Sequence, residues 1–118
     1  GFAHVTQMRQ AGMTWVKVQA RYGEDADLRP FIAEAHAQGF KVLISAVGSA
    51  SMVTESGFSR RVSDWMAGIA AAGADAIEVW NEPNLPREWR QGYISPRAYT
   101  NLLCTAYSAI KRAIAEHW

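Results

Sequence analysis

Residues 77–84 carry the sequence Ile-Glu-Val-Trp-Asn-Glu-Pro-Asn, which begins like a β-strand and stops abruptly. Val79 and Trp80 are residue types that favour a pleated, half-buried backbone. Pro83 ends the strand because it lacks a backbone N–H and has a fixed φ. Glu82 is therefore expected at the carboxyl end of a strand, which is the end where parallel α/β folds bind ligands.

The rest of the chain alternates between helical and strand periodicity. Short turns precede each predicted strand and longer loops follow it, which favours parallel strands joined by helical crossovers. Glycines end the first three predicted helices, and Asp27 is expected to cap the second. The predicted strands cover residues 14–19, 40–47 and 74–81, and the predicted helices cover residues 5–11, 27–39, 62–73 and 95–114, with a Ser/Gly-rich connection at 48–57.

Two α/β architectures fit this order, a doubly wound sheet and a (β/α)₈ barrel. Strands of a doubly wound sheet tend to be apolar on both faces. Here one strand face is unusually polar, since alternation places on it Trp15, Lys17, Gln19, Glu78 and Trp80. A barrel interior near an active site tolerates that pattern better, so the sequence predicts part of a TIM barrel, with three parallel strands and four helices.

The length limits how much of a barrel is present. A complete (β/α)₈ barrel takes about 250 residues, whereas this chain has 118. Residues 1–118 are therefore predicted to be a single half-barrel segment, either naturally short or a piece of a longer protein. Its open sheet is expected to be covered by a second copy of the chain or by the missing half of the barrel.

Composition excludes several classes of partner. Twelve Lys and Arg residues against eleven Asp and Glu give a formal charge of +1, and no basic run is interleaved with aromatics, so nucleic acid is not an expected partner. No apolar run approaches the roughly 20 residues that span a bilayer, so no membrane association is predicted. Cys104 is the only cysteine, and the three histidines lack ligand spacing, so neither a metal nor another cofactor is predicted. The compartment stays open.

Residues 80–84, Trp-Asn-Glu-Pro-Asn, resemble the Asn-Glu-Pro signature that closes the fourth strand in clan A retaining glycoside hydrolases, a group of (β/α)₈ barrels. Residues 12–17, 39–44 and 95–99 resemble the flanking second strand, third strand and fourth helix of that family. The resemblance implies that Glu82 is the general acid/base and that Asn81 binds the 2-hydroxyl of a β-linked sugar. In the family the nucleophilic carboxylate ends the seventh strand, which this chain does not contain.

Four further residues are candidates for contact with an oligosaccharide, polysaccharide or glycoside. Trp80, Trp89 and Tyr93 offer flat apolar faces on which sugar rings can lie, although packing is the alternative role for each. Arg21 follows the first predicted strand and is a candidate to line the cleft. The competing function is that of a non-catalytic half-barrel module that self-associates or keeps a carbohydrate-binding remnant.

Two charged residues are expected to be structural. Lys17 and Glu78 project from the same polar face on different strands, and an unpaired charge inside a barrel is costly. We therefore predict that Lys17 and Glu78 approach each other as an ion pair.

Overall fold

The computed structural model describes residues 2–24, 26–81, 89–90, 92 and 94–116 of the chain. All seven predicted helices and strands are present, and a short 3₁₀ turn lies in the connection expected at 48–57. In chain order the elements are α1 (Val5–Gln10), β1 (Trp15–Arg21), α2 (Arg29–Ala37), β2 (Lys41–Val47), the 3₁₀ turn (Ala50–Thr54), α3 (Phe58–Ala71), β3 (Ala76–Val79) and α4 (Pro96–Glu116).

The three strands form one parallel sheet in the order β1-β2-β3. Trp15 pairs with Lys41 and Arg21 with Val47, so β1 and β2 begin and end together. Each strand lies next to the strand that follows it in the chain. Crossover connections between parallel strands are almost always right-handed, so the connecting helices lie on the same face of the sheet. The predicted α/β class, with three parallel strands and four helices, is confirmed. Closure of the sheet into a TIM barrel stays a proposal.

The two faces of the sheet differ in burial. On one face, Val42, Ile44 and Ala46 of the central strand are fully buried and belong to the hydrophobic core, together with helix residues such as Ile32 and Met66. Each large apolar side chain buried in this way contributes about 1.5–3 kcal/mol. The apolar face thus holds the helices against the sheet, and the opposite face carries the polar residues.

Glycines end the helices where the sequence predicts. Gly39 and Gly73 follow α2 and α3 with φ of 86° and 112°, a backbone conformation that residues with a Cβ rarely adopt. The start of α2 differs in detail, because Leu28 and not Asp27 occupies the cap position. Asp27 still accepts a hydrogen bond from the Arg29 backbone N–H at 3.0 Å. Its hydrogen bond with the Arg29 side chain is the main reason that the pKa of Asp27 falls to about 2.

The third strand is shorter than predicted. The sequence places it at residues 74–81, whereas β3 covers only Ala76–Val79. Trp80 departs from strand geometry with a φ of 65°.

Among the residues that the structure describes, no helix is long and apolar enough to cross a membrane.

Candidate active site

The carboxyl ends of the three strands lie side by side at one edge of the sheet. Arg21 is opposite Val47, and Ala46 is opposite Val79, so the chain leaves β1, β2 and β3 at nearly the same level. The backbone N–H of Trp80 extends this alignment by donating to the Ala46 carbonyl at 2.8 Å. This edge is the position where ligands bind in parallel α/β proteins.

Asn81 is half-buried at this edge, directly after β3 and Trp80. It is the last described residue before the segment that contains Glu82. Glu82 and Tyr93, two of the predicted site residues, lie outside the described residues. The structure therefore supplies the position of Asn81 and the end of the strand, and the roles of Glu82 and Tyr93 stay predictions.

Four aromatic rings pack together next to the end of β3. The Trp80 indole makes T-shaped contacts with Phe58 and Trp89, at centroid distances of 5.3 Å and 5.9 Å. Trp89 also contacts Tyr99, with 6.4 Å between the ring centroids. We refer to Phe58, Trp80, Trp89 and Tyr99 as the aromatic cluster. It joins the start of α3, the end of β3 and the first turn of α4.

The aromatic cluster gives Trp80 and Trp89 a different environment from the one that the sequence suggests. Both are candidates to present a flat face to a sugar ring, with packing as the alternative role, and the two residues are only 1% and 2% exposed. Other aromatic rings occupy their faces, so a packing role accounts for both residues. Contact of either indole with substrate stays a prediction that this burial does not favour.

Tyr99 fixes the same strand end by a hydrogen bond. Its phenol donates to the backbone carbonyl of Val79 at 2.8 Å. Partial burial raises the pKa of Tyr99, and the negative charge of Glu78 raises it further, so the phenol keeps the proton that it donates. The sequence analysis assigns Tyr99 no such role, because nothing in the helical pattern indicates a partner on the strand.

The polar face of the sheet carries the predicted ion pair. Lys17 Nζ lies 3.3 Å from Glu78 Oε2, so the two residues share a sheet face and the prediction is confirmed. Ser45, between them on β2, donates its hydroxyl to Glu78 Oε1 at 2.7 Å. The lysine and glutamate side chains are 52% and 36% exposed. Because both side chains are partly exposed to water, the ion pair contributes at most about 1 kcal/mol to the stability of the fold.

A second polar pair, a hydrogen bond between His36 and Asp75, lies at the opposite, amino-terminal edge of the sheet. His36 Nε2 and Asp75 Oδ2 are 2.7 Å apart, and Asp75 also accepts the Val42 backbone N–H at 2.8 Å. Burial acts to raise the pKa of Asp75, but the interactions with His36, the Val42 N–H and Lys41 outweigh it and lower the pKa overall. No sequence pattern indicates this pair, because its members are 39 residues apart. Among the described residues no group of three His, Cys, Asp or Glu side chains could hold a metal ion.

Arg21 lies at the carboxyl edge but at the end of β1, two strands away from Trp80. Because neighbouring strands are about 4.8 Å apart, this is a separation of about 10 Å. The exposed side chain of Arg21 lines a groove of about 440 Å³ formed by the end of β1, the loop before α2 and α3, including Trp65. The structure thus places Arg21 and Asn81 at one edge without bringing them into contact. Whether Arg21 binds substrate stays a prediction.

Comparisons with known proteins add no assignment. No protein-family model matches the chain, and neither a curated protein sequence nor a solved structure does. The resemblance to glycoside hydrolases therefore rests on the residues of the motif and its flanking segments. The structure adds the position of Asn81, which lies where three in-register parallel strands end.

Proposed function

We propose that this chain is a segment of a retaining glycoside hydrolase that cleaves β-linked sugars, with Glu82 as the general acid/base. The observation that carries the proposal is the position of Asn81, two residues after the end of β3, at the carboxyl edge of three in-register parallel strands. Glu82 follows Asn81 in the sequence. Catalytic residues of (β/α)₈ barrels come from this edge.

The arrangement of the sheet supports a barrel as the complete fold. The strands follow one another in chain order, without the reversal of order that defines a doubly wound sheet. One face packs against the helices, while the other carries Lys17, Ser45 and Glu78. In a closed barrel this second face is the interior, and closure would remove the ion pair from water.

In the proposed reaction, the Glu82 carboxyl protonates the glycosidic oxygen as the bond breaks. A second carboxylate attacks the anomeric carbon and forms a covalent glycosyl-enzyme. Glu82, now a carboxylate, removes a proton from the water that hydrolyses this intermediate, and Asn81 hydrogen-bonds the 2-hydroxyl. The two carboxyl groups of a retaining enzyme are about 5–5.5 Å apart. The nucleophile is expected outside these 118 residues.

The test is a Glu82→Gln substitution in the complete product of the coding sequence, assayed on a panel of aryl β-glycosides. Poor leaving groups need a general acid and activated dinitrophenolates do not. We therefore expect kcat/KM to fall by about 10²–10⁴ on the poor leaving groups and far less on the activated ones. Glu88→Gln is the matched control in the same segment and should keep its activity. Unchanged hydrolysis by Glu82→Gln would refute the proposal.

A second candidate function is a non-catalytic half-barrel that self-associates. The observation that favours it is the exposed polar face of the sheet, where Trp15 is 43% exposed and the ion pair is open to water. A stable oligomer of the complete coding-sequence product that turns over no glycoside would support this alternative. Glycoside turnover that Glu82→Gln abolishes would exclude it.

A further inference from the structure

The backbone at Trp80 is unusual. Trp80 has a φ of 65° and is the only residue other than glycine with a positive φ in the described part of the chain. A left-handed conformation costs a residue with a Cβ about 1–2 kcal/mol. Such a conformation persists only where the surrounding structure holds it in place.

Two hydrogen bonds hold the peptide unit that leads into this turn. The Trp80 N–H donates to the Ala46 carbonyl at 2.8 Å, which fixes the turn to the central strand. The Tyr99 hydroxyl donates to the Val79 carbonyl at 2.8 Å, which fixes it to α4. The peptide unit between Val79 and Trp80 is therefore held at both its carbonyl and its N–H.

The Trp80 side chain is confined as closely as its backbone. Phe58 and Trp89 each contact the indole edge-to-face. The backbone of Gly48 approaches it from β2, and a Cβ added to Gly48 would lie 2.9 Å from the indole. The indole therefore cannot move without displacing a neighbour. Its packing holds the backbone of Trp80 in the left-handed conformation.

The turn changes how the chain presents the residues after β3. In a regular strand successive side chains point to opposite faces, so Asn81 would share the buried face of Val79. The left-handed residue before Asn81 ends this alternation and bends the chain out of the strand. We propose, on the basis of the proposed function, that Trp80 is a positioning residue: its anchored left-handed turn sets the direction in which the chain leaves β3 towards Asn81, and proton transfer by the acid/base depends on that direction.

The test measures how the reaction rate depends on the leaving group in the complete coding-sequence product. Trp80→Phe loosens the packing of the turn, and Tyr99→Phe removes only the hydrogen bond to Val79. For each variant we expect kcat/KM to fall about 10- to 100-fold on glycosides with poor leaving groups, since small misplacements of a catalytic group are costly. Activated dinitrophenyl glycosides should lose less than about threefold, because they do not need the acid.

A control variant separates positioning from folding. Tyr107→Phe changes the same residue type as Tyr99→Phe at an exposed position of α4 away from the turn, and it should leave the leaving-group dependence unchanged. Equal losses on both substrate classes in the Trp80 and Tyr99 variants would overturn the inference, since lost folded protein lowers both rates alike. If Trp80→Phe does not fold, Tyr99→Phe decides.

The proposed function and the inference fail in different ways. If kcat/KM of Glu82→Gln depends on the leaving group as it does in the parent, both the proposed function and the inference are refuted. Altered dependence in Glu82→Gln together with normal dependence in Trp80→Phe and Tyr99→Phe removes the inference alone.

Discussion

Gly48 is closely packed at the carboxyl edge of the sheet. A Cβ there would lie 2.8 Å from Met52 Sδ and 2.9 Å from the Trp80 indole, closer than real Cβ contacts. We expect Gly48→Ala to lower the free energy of unfolding by about 1–3 kcal/mol, the usual cost of overpacking. Urea unfolding followed by tryptophan fluorescence measures the change.

Gly68 is the matched control for Gly48. It lies inside α3, and an added Cβ would meet nothing within 4 Å. Because alanine favours a helix over glycine, Gly68→Ala should raise the free energy of unfolding by about 0.5–1 kcal/mol. Loss of stability in both variants would show that Gly48 is not specially confined.

The Tyr99 hydroxyl gives a second prediction at the scale of a residue. Tyr99→Phe keeps the aromatic ring in its cluster and leaves the Val79 carbonyl without its side-chain donor. We expect the free energy of unfolding to fall by about 1–3 kcal/mol, as for a buried acceptor that loses its partner. Tyr107→Phe, at an exposed position of the same helix, should change it by less than about 0.5 kcal/mol. Equal effects at the two positions would contradict the assigned hydrogen bond.

Single residues differ in how far the sequence predicts them. Alternation along the strands correctly paired Lys17 with Glu78, because both lie inside regular strands. The same alternation gave no sign that the backbone turns at Trp80. The rings that bury Trp80 come from positions 58 and 89, and no local periodicity links them to β3.

Among the elements, α2, β2 and β3 are tied together by the His36 and Asp75 pair. The folded state lowers the pKa of Asp75, so the folded protein releases this proton more readily than the unfolded chain. The resulting stabilisation is present above the ordinary Asp pKa of about 4. It is lost as the pH falls from there through the lowered pKa of the folded state.

The corresponding prediction concerns unfolding below pH 4. Asp75→Asn should be less stable than the parent at pH 6, and it should lose less stability between pH 4 and pH 2.5. His36→Gln should shift the acid limb of the stability curve in the same direction, because it removes the imidazole that hydrogen-bonds to Asp75 and helps to lower its pKa. The measurement is the urea midpoint as a function of pH. Parallel curves for the parent and Asp75→Asn would exclude a stabilising role for the carboxylate.

Element order was the part of the fold most accessible to sequence reasoning. Gly12, Gly39 and Gly73 mark helix ends, and apolar spacing separates helices from strands. Two details required the structure. The 3₁₀ turn at Ala50–Thr54 lies in a connection with no regular pattern, and β3 ends early because Trp80 leaves the strand.

At the scale of the whole molecule, none of the described helices supplies the hydrophobic core from the polar face of the sheet, since that core lies on the face of Val42, Ile44 and Ala46. The rim residue Trp15 of the polar face is 43% exposed, and the outer strands β1 and β3 each have one neighbour in the described sheet. We expect the 118-residue chain to self-associate at micromolar concentrations through this face. Sedimentation velocity over a range of concentrations measures the association.

Two surface variants locate the contact. Trp15→Ser should shift the chain towards the monomer, because exposed aromatics anchor interfaces. Tyr107→Ser, which removes a 62% exposed ring from α4, should leave the association unchanged. A monomer at every concentration would contradict the prediction, and sensitivity to Tyr107→Ser alone would move the interface to α4.

The sequence predicted the parallel sheet but not what completes it. The order and polarity of three strands follow from the chain itself, whereas closure depends on contacts that three strands cannot make with one another. For the same reason the motif predicts an acid/base at Glu82 but no residue for the carboxylate that would act with it.

The central claim is that Glu82 is the acid/base, and product analysis of Glu82→Ala with azide tests it most directly. A dinitrophenyl β-glycoside forms the glycosyl-enzyme without an acid, and azide then attacks the anomeric carbon without a base to deprotonate it. In the complete coding-sequence product we expect azide to restore turnover and to give the β-glycosyl azide by NMR. An α-glycosyl azide, or no rescue with unimpaired hydrolysis, would contradict the assignment.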